Sequence, residues 1–321
     1  MNYNYDFQLT GIKGSKKRGF RLVYIILIMI AIIIPVCIAM NIAIKQHAAK
    51  PSSQIAAKTE TVKKTGNEAY IAQLEKMNTV IAQKKDEALE IVEKIRAKKM
   101  PVLTDAGKDN IKHIYASPDK VAYLTFDDGP SKTITSQLLD VLKENKIKAT
   151  FFVLGNRVDL YPDIVKREYD EGHYVANHGY SHVYKSIYQT PYTVLDEYNK
   201  TENSIKQALG LLEYNSHLFR FPGGSTGGSY ASIKSAAKTV LDENDVTYVD
   251  WNALTGDGDY QDPTRDILIN SLTQTMQDKT SLVILMHDSS TKQITVDTLP
   301  EIINLLRDNG YTFKNFYDVM E

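Results

Sequence analysis

Apolar residues fall into three textures along the chain. The first is a single unbroken run, LVYIILIMIAIIIPVCIAMNIAI at residues 22–44, with almost nothing polar in it. Its 23 residues, at ~1.5 Å of rise each, match the ~30 Å of hydrocarbon in a bilayer and predict a transmembrane helix. The second texture has helical spacing. Ile71, Leu74, Met77, Ile81, Ala88, Ile91 and Ile95 recur at threes, fours and sevens in a stretch free of Pro and Gly. That predicts a helical or coiled-coil stalk over residues 67–100, ended by Pro101 and Gly107. The third texture begins near Lys120, where short apolar runs alternate with amphipathic segments. Strands are expected at 121–126, 149–154, 174–177, 218–221, 246–251, 282–286 and 311–317. Helices are expected between them, at 136–145, 162–171, 193–209, 231–243, 264–278 and 296–309. Repeated strand–helix units predict an α/β domain over 118–321 with parallel strands covered by helices, as a barrel or an open sheet. In either architecture, reactive groups collect at the carboxyl ends of the strands.

Charge adds an orientation to this layout. Lys13, Lys16, Lys17, Arg18 and Arg21 crowd the tail 1–21, whereas Lys45, Lys50 and Lys58 are spread beyond the apolar run. The positive-inside bias puts the tail in the cytoplasm and the rest of the chain outside it. The expected protein is a single-pass cell-membrane protein with an extracytoplasmic domain. Residues 45–66, rich in Ala, Ser, Lys and Thr, read as a linker. The run is too long for a signal-peptide core, and no small-x-small cleavage site follows it directly. The net charge of −1 gives no global field for nucleic acid. The one cysteine, Cys37, lies inside the apolar run, so neither an intramolecular disulfide nor a thiolate metal site can be built.

The chemistry sits at the predicted strand ends. Asp127-Asp128-Gly129-Pro130 follows the first strand. Two adjacent carboxylates are costly to bury together unless a metal takes one and leaves the other as a base. His178 follows the third strand, with His182 four residues on. If that segment is helical, both imidazoles lie on one face and, with Asp128, make a three-ligand site. Neighbouring strand residues point apart, which frees Asp127 to act as a base. Arg220 ends the fourth strand and is suited to hold Asp127 ionised. His287 ends the sixth and suits a general acid, with Asp257 placed to orient it. Three of the seven histidines fall at these positions. His47, His113, His173 and His217 lack such company and read as structural or solvent-exposed.

On these residues, 120–321 resemble the polysaccharide deacetylases of the NodB-like type, carbohydrate esterase family four. Thr125-Phe126-Asp127-Asp128 is similar to that family's first motif, with the base on Asp127 and a metal ligand on Asp128. His178 through His182 resembles the second motif, with two metal histidines, and Arg220-Phe221-Pro222 the third. Leu285-Met286-His287 resembles the fifth, where the leucine lines the acetyl pocket and the histidine is the acid. The resemblance implies a distorted (β/α)7-type barrel. Two departures stand out. The third motif usually continues with a bulky aromatic that walls the groove and gives its backbone N–H to the oxyanion; here Gly223-Gly224 follows. The fourth motif usually ends in Asp-Trp; the aspartate falls on Asp257 with Gly258 after it, or else on Asp250-Trp251.

The activity implied is hydrolysis of N-acetyl groups on N-acetylglucosamine residues, with Zn²⁺ as the cofactor or Co²⁺, Mn²⁺ or Ni²⁺ in its place. The membrane anchor and stalk favour an envelope glycan, with peptidoglycan first and poly-N-acetylglucosamine or chitin-like oligomers second. A glycan-binding domain without catalysis, or a scaffold that self-associates through the stalk, is the competing class. Metal content and crosslinking of residues 67–99 separate these readings.

Overall fold

The computed structural model describes residue 68, residues 70–84 and residues 100–320. The tail, the expected membrane span at 22–44 and the linker lie outside the described residues. Among the described residues, no helix is long and apolar enough to cross a membrane. The chain divides into two compact units, 1–90 and 91–321. In the first, residues 70–84 are helical, inside the expected stalk, with Tyr70, Ile71, Met77, Val80 and Ile81 exposed.

The second unit is a parallel α/β domain. Its strands are β1 (Val121–Asp127), β2 (Thr150–Val153), β3 (Tyr174–Asn177), β4 (Leu218–Phe219), β5 (Thr247–Tyr248), β6 (Ala253–Leu254), β7 (Ser281–His287) and β8 (Thr312–Phe313). Its helices are α1 (Asp105–Lys112), α2 (Ile134–Glu144), α3 (Gly155–Leu160), α4 (Pro162–Asp170), α5 (Tyr184–Ile187), α6 (Pro191–Leu209), α7 (Ala231–Asp242), α8 (Arg265–Met276), α9 (Gln293–Asp308) and α10 (Tyr317–Met320). The strands run in the order β5-β4-β3-β2-β1-β7-β6, all parallel, and β8 pairs with the start of β1.

The connection from β5 to β6 shows that this sheet curls. Those strands are its two edges, yet only residues 249–252 join them. Five residue steps reach at most about 18 Å at ~3.5 Å each. Seven flat strands spaced ~4.8 Å apart would put the edges about 29 Å apart. The sheet is therefore rolled into a distorted (β/α)7-type barrel, with no β5–β6 ladder among the described residues.

Alternation then decides which side chains enter the barrel. Val121, Tyr123 and Val283 face an interior cluster with Phe152, Tyr174, Ala176, Leu218 and Val249. Ala122, Leu124, Phe126, Ile284 and Met286 face the helical shell. The period of two carries the interior parity on to Thr125 and Asp127, to Leu285 and His287, to His178 and to Arg220. The base of the barrel is filled by Ile111 of α1 and by Phe316, Tyr317, Val319 and Met320.

Several expectations change. Gly107 does not end a helix; it lies inside α1, buried where its lack of a Cβ lets the backbone meet Met320. With Thr104 Oγ1 and Asn110 bonded to the carbonyls of Met320 and Val319, α1 belongs to the folded domain, which starts before residue 118. The strand expected at 246–251 is cut to β5, because the carbonyls of Val249 and Asp250 accept from Arg220. The short β6 and the helices α3, α5 and α10 carry too few residues to show a period. The expected strand at 311–317 shortens to β8 because Asn315 and Asp318 turn the chain into α10.

Candidate active site

Seven residues named from sequence, Asp127, Asp128, His178, His182, Arg220, Asp257 and His287, converge at the mouth of the barrel. Asp127 and His287 are register partners at the ends of β1 and β7. Arg220, fully buried, reaches them from beyond β4. Its Nη1 donates to Asp127 Oδ1 at 2.8 Å and to Thr125 Oγ1 at 2.7 Å. Its Nε and Nη2 donate to the carbonyls of Val249 and Asp250 at 3.2 and 3.0 Å. The guanidinium lies 3.9 Å above the Phe152 ring. Four directed bonds and a stacked face compensate the desolvation of this charge. Burial raises the Asp127 carboxyl above the usual range, and Arg220 acts against that rise.

Asp128 turns away from Asp127 because its φ is +76°. Its Oδ1 stands 3.6 Å from His178 Nε2 and 3.5 Å from His182 Nε2. The histidines are not on a helix, the one arrangement in which their spacing would put both on one face. Residues 178–183 form a loop in which Gly179 and His182 have φ of +81° and +55°. Glu197 on α6 holds that loop: its carboxylate accepts from Tyr180 N, Ser181 N and Ser181 Oγ at 2.7–2.9 Å.

The donors in this cluster fit a divalent cation. His178 Nδ1 is 2.8 Å from the Arg220 carbonyl, so it carries the proton and leaves a lone pair on Nε2. That lone pair faces Asp128 Oδ1 and, at 3.7 Å, Asp127 Oδ2. Burial pushes the His178 pKa down to about 3, so the ring stays neutral. Asp128 Oδ1 is buried with no hydrogen-bond partner. Acceptors thus converge with no donor between them. Ligand atoms around a tetrahedral ion with ~2.1 Å bonds stand about 3.4 Å apart, close to what Asp128, His178 and His182 present.

The opposite wall carries a second pair. His287 Nδ1 is 2.9 Å from Asp257 Oδ1, and His287 N donates to Asp257 Oδ2 at 2.8 Å. Thr295 Oγ1 donates to the same Oδ2 at 2.7 Å, and Lys292 Nζ donates to the Asp257 carbonyl. Burial opposes the charge on Asp257, but the hydrogen bond and charge of His287, with Thr295, hold its carboxyl below the usual range. Burial likewise pushes His287 down, yet its bond to Asp257 and the surrounding carboxylates raise it to about 9. Of the two candidates for the fourth-motif aspartate, Asp257 is therefore the one on His287. Asp250 instead accepts from Ser225 N and Oγ at 2.9 and 2.6 Å and anchors the Gly223–Ser225 loop.

That loop is held from behind. The Pro222 carbonyl accepts from the Tyr188 hydroxyl at 2.7 Å, and the Gly224 carbonyl accepts from Lys234 Nζ at 2.7 Å. In a trans peptide, N–H and C=O point in opposite directions. Fixing the Pro222 carbonyl on buried Tyr188 turns the Gly223 N–H the other way. Leu285 has the interior parity of His287 two residues below it, and half-buried Trp251 packs on Gly224. Sequence reasoning missed Thr125 as a partner of Arg220, and missed Glu197, Tyr188, Lys234 and Thr295. Each acts through a contact outside its own stretch of sequence, and all but Thr125 lie outside the motifs. Of the histidines set aside, His173 is buried and accepts from Ala149 N, while His113 and His217 bond backbone carbonyls at the surface.

The barrel, the Asp–His–His cluster that could hold a metal ion and the facing His–Asp pair together define a candidate hydrolase site at strand carboxyl ends. Comparison with known proteins gives the family. The polysaccharide deacetylase model matches residues 115–243. A peptidoglycan-N-acetylglucosamine deacetylase of Bacillus cereus is 34% identical over 202 residues, covering 62% of this chain and 70% of that protein. Among solved structures, a Streptococcus mutans CE4 esterase aligns with a TM-score of 0.59 and 30% identity, covering 66% of this chain and 92% of that one. The catalytic domain of a peptidoglycan N-acetylglucosamine deacetylase from Eubacterium rectale aligns at 0.57 and 31%, covering 68% and 93%. The chain belongs to the polysaccharide deacetylase family.

Proposed function

We propose that the protein is a metal-dependent hydrolase that removes acetyl groups from N-acetylglucosamine residues of an envelope glycan, with peptidoglycan as the first candidate. The observation that carries this reading is the Asp128–His178–His182 cluster, set between ion-paired Asp127 and the His287–Asp257 pair. The printed names of the relatives from Bacillus cereus and Eubacterium rectale support the choice of glycan.

Asp128, His178 and His182 would hold the cation, for which Zn²⁺ is proposed and Co²⁺, Mn²⁺ or Ni²⁺ are alternatives. When bound, it supplies Lewis acidity and an acidified water. Asp127 takes the proton from the attacking water. A carboxyl raised by burial is a stronger base, and Arg220 keeps it oriented. The Gly223 N–H, turned outward by the Tyr188–Pro222 bond, donates to the oxygen on which negative charge develops. His287, held by Asp257, gives its proton to the nitrogen as the C–N bond breaks. A new C–O bond replaces it, and the products are acetate and a free amine. Leu285 and Trp251 would line the acetyl and sugar sides of the pocket.

This assignment fixes the alkaline side of the pH profile. His287 acts as the acid only while protonated, and its pKa is raised to about 9. Acetate release should therefore fall as the pH rises through about 9. Asp257→Asn removes the main partner that raises His287, so the fall should move to lower pH and kcat should drop about 10- to 100-fold. A pH–kcat profile checks this; an unmoved alkaline limb would remove Asp257 from the acid pair.

Residues 22–44 are proposed to anchor the chain in the cell membrane, with the domain outside the cytoplasm and the stalk free to self-associate. The substrate test is acetate release by the full-length protein, in detergent, from purified peptidoglycan, poly-N-acetylglucosamine and acetylated xylan. Release from peptidoglycan but not xylan is expected. Release from xylan alone would overturn the assignment.

A further inference from the structure

Position 223 is a glycine with φ +71°, where the family resemblance leads one to expect a bulky aromatic. The space a side chain would need there is already occupied. A Cβ on Gly223 would lie 2.5 Å from the Tyr184 hydroxyl oxygen and 3.1 Å from its ring carbon Cζ. Two residues far apart in sequence thus share one volume: the loop gives up a side chain, and α5 supplies a tyrosine in its place.

Tyr184 is not core filling. It is 39% exposed, whereas Tyr188, one helical turn on, is 2% exposed. The Tyr188 hydroxyl is used on Pro222, but the Tyr184 hydroxyl has no hydrogen-bond partner among the described residues. Its ring is nevertheless braced. The Tyr188 and Tyr230 ring centroids are 5.8 and 6.3 Å away, and the His182 ring is 5.5 Å away on the site side. A rigid aromatic with an open hydroxyl at the rim of a cleft suits contact with a sugar, which offers an apolar ring face and hydroxyl edges.

We infer that Tyr184 is a substrate-contacting, specificity-determining residue: its ring is the groove wall that Gly223 lacks, and its hydroxyl hydrogen-bonds the glycan residue that carries the acetamide. This inference rests on the deacetylase reading. The contact is made to a part of the sugar that does not react, so it holds substrate and transition state alike. Its loss shows chiefly in KM.

The test is steady-state kinetics of the full-length protein on N-acetylglucosamine oligomers, with bound metal and Tm measured for each variant. Tyr184→Phe should raise KM about three- to tenfold with kcat within about twofold, the loss of one neutral hydrogen bond. Tyr184→Ala should raise KM further, because the wall goes with the hydroxyl. Unchanged KM in both Tyr184 variants overturns the inference and leaves the deacetylase reading standing. A Tyr184→Phe protein that loses metal or kcat instead also overturns it, since Tyr184 would then serve only to support His182. If the native protein releases no acetate, the reading and the inference fall together.

Discussion

His178→Ala should reduce acetate release to background, a loss of more than about 10³-fold, and should leave the protein without bound metal. A chelator should do the same to the native protein, and added Zn²⁺ should restore the native protein but not the variant. The reason lies in the pairing of acceptors. His178 presents a lone pair to Asp128 at 3.6 Å, held in that tautomer by the Arg220 carbonyl at 2.8 Å. Removing the ring takes away one of three ligands and leaves Asp128 and His182, which is too few to hold a catalytic ion. It also takes the Nδ1–H donor from the buried Arg220 carbonyl and leaves a cavity, so the apo variant should melt below the apo native protein. Metal stoichiometry and Tm measured with and without Zn²⁺ separate the two contributions. A variant that keeps its metal would remove His178 from the ligand set.

Asp127→Asn should lower kcat about 10²- to 10⁴-fold while metal remains bound. Asparagine keeps an oxygen that can accept from Arg220, so the buried guanidinium retains its geometry. It cannot take a proton from water, and it leaves the guanidinium without a counter-charge. Losing one partner of a buried pair typically costs about 3–5 kcal/mol. Because the other three bonds of Arg220 persist, a fall in Tm is expected but not unfolding. Equal loss of metal and activity would mean that Asp127 is a ligand and not a base. Its Oδ2 at 3.7 Å from His178 Nε2 is the contact that makes this distinction worth measuring.

Most of the candidate site was legible because its members sit at strand ends, where a period of two and a turn signal mark the position. Asp127, His178, Arg220 and His287 all carry the parity of the barrel interior, and that parity can be counted from the apolar residues before them. The sequence leaves open whether the segment holding His182 is helical, because the i, i+4 spacing is silent about φ. It is Gly179 in the left-handed region and the Glu197 carboxylate that fold it. The choice between Asp250 and Asp257 could not be made from spacing, since both follow short apolar runs. Only the hydrogen bonds to Ser225 and to His287 separate them. At Gly223 sequence shows the missing side chain and not the tyrosine that fills its space. The two-residue strand β6 escapes any pattern, since its placement is decided by its neighbour β7.

The central claim is that Asp128, His178 and His182 hold a cation that makes Asp127 and His287 an amide-hydrolysing pair. Its most direct test is acetate release from N-acetylglucosamine oligomers by the full-length protein, stripped of metal and then titrated with Zn²⁺. Activity that rises to a plateau at one equivalent of metal, and stays absent in Asp127→Asn at the same occupancy, is the predicted result. Release that is indifferent to metal, or its absence with one equivalent demonstrably bound at these residues, would contradict the account.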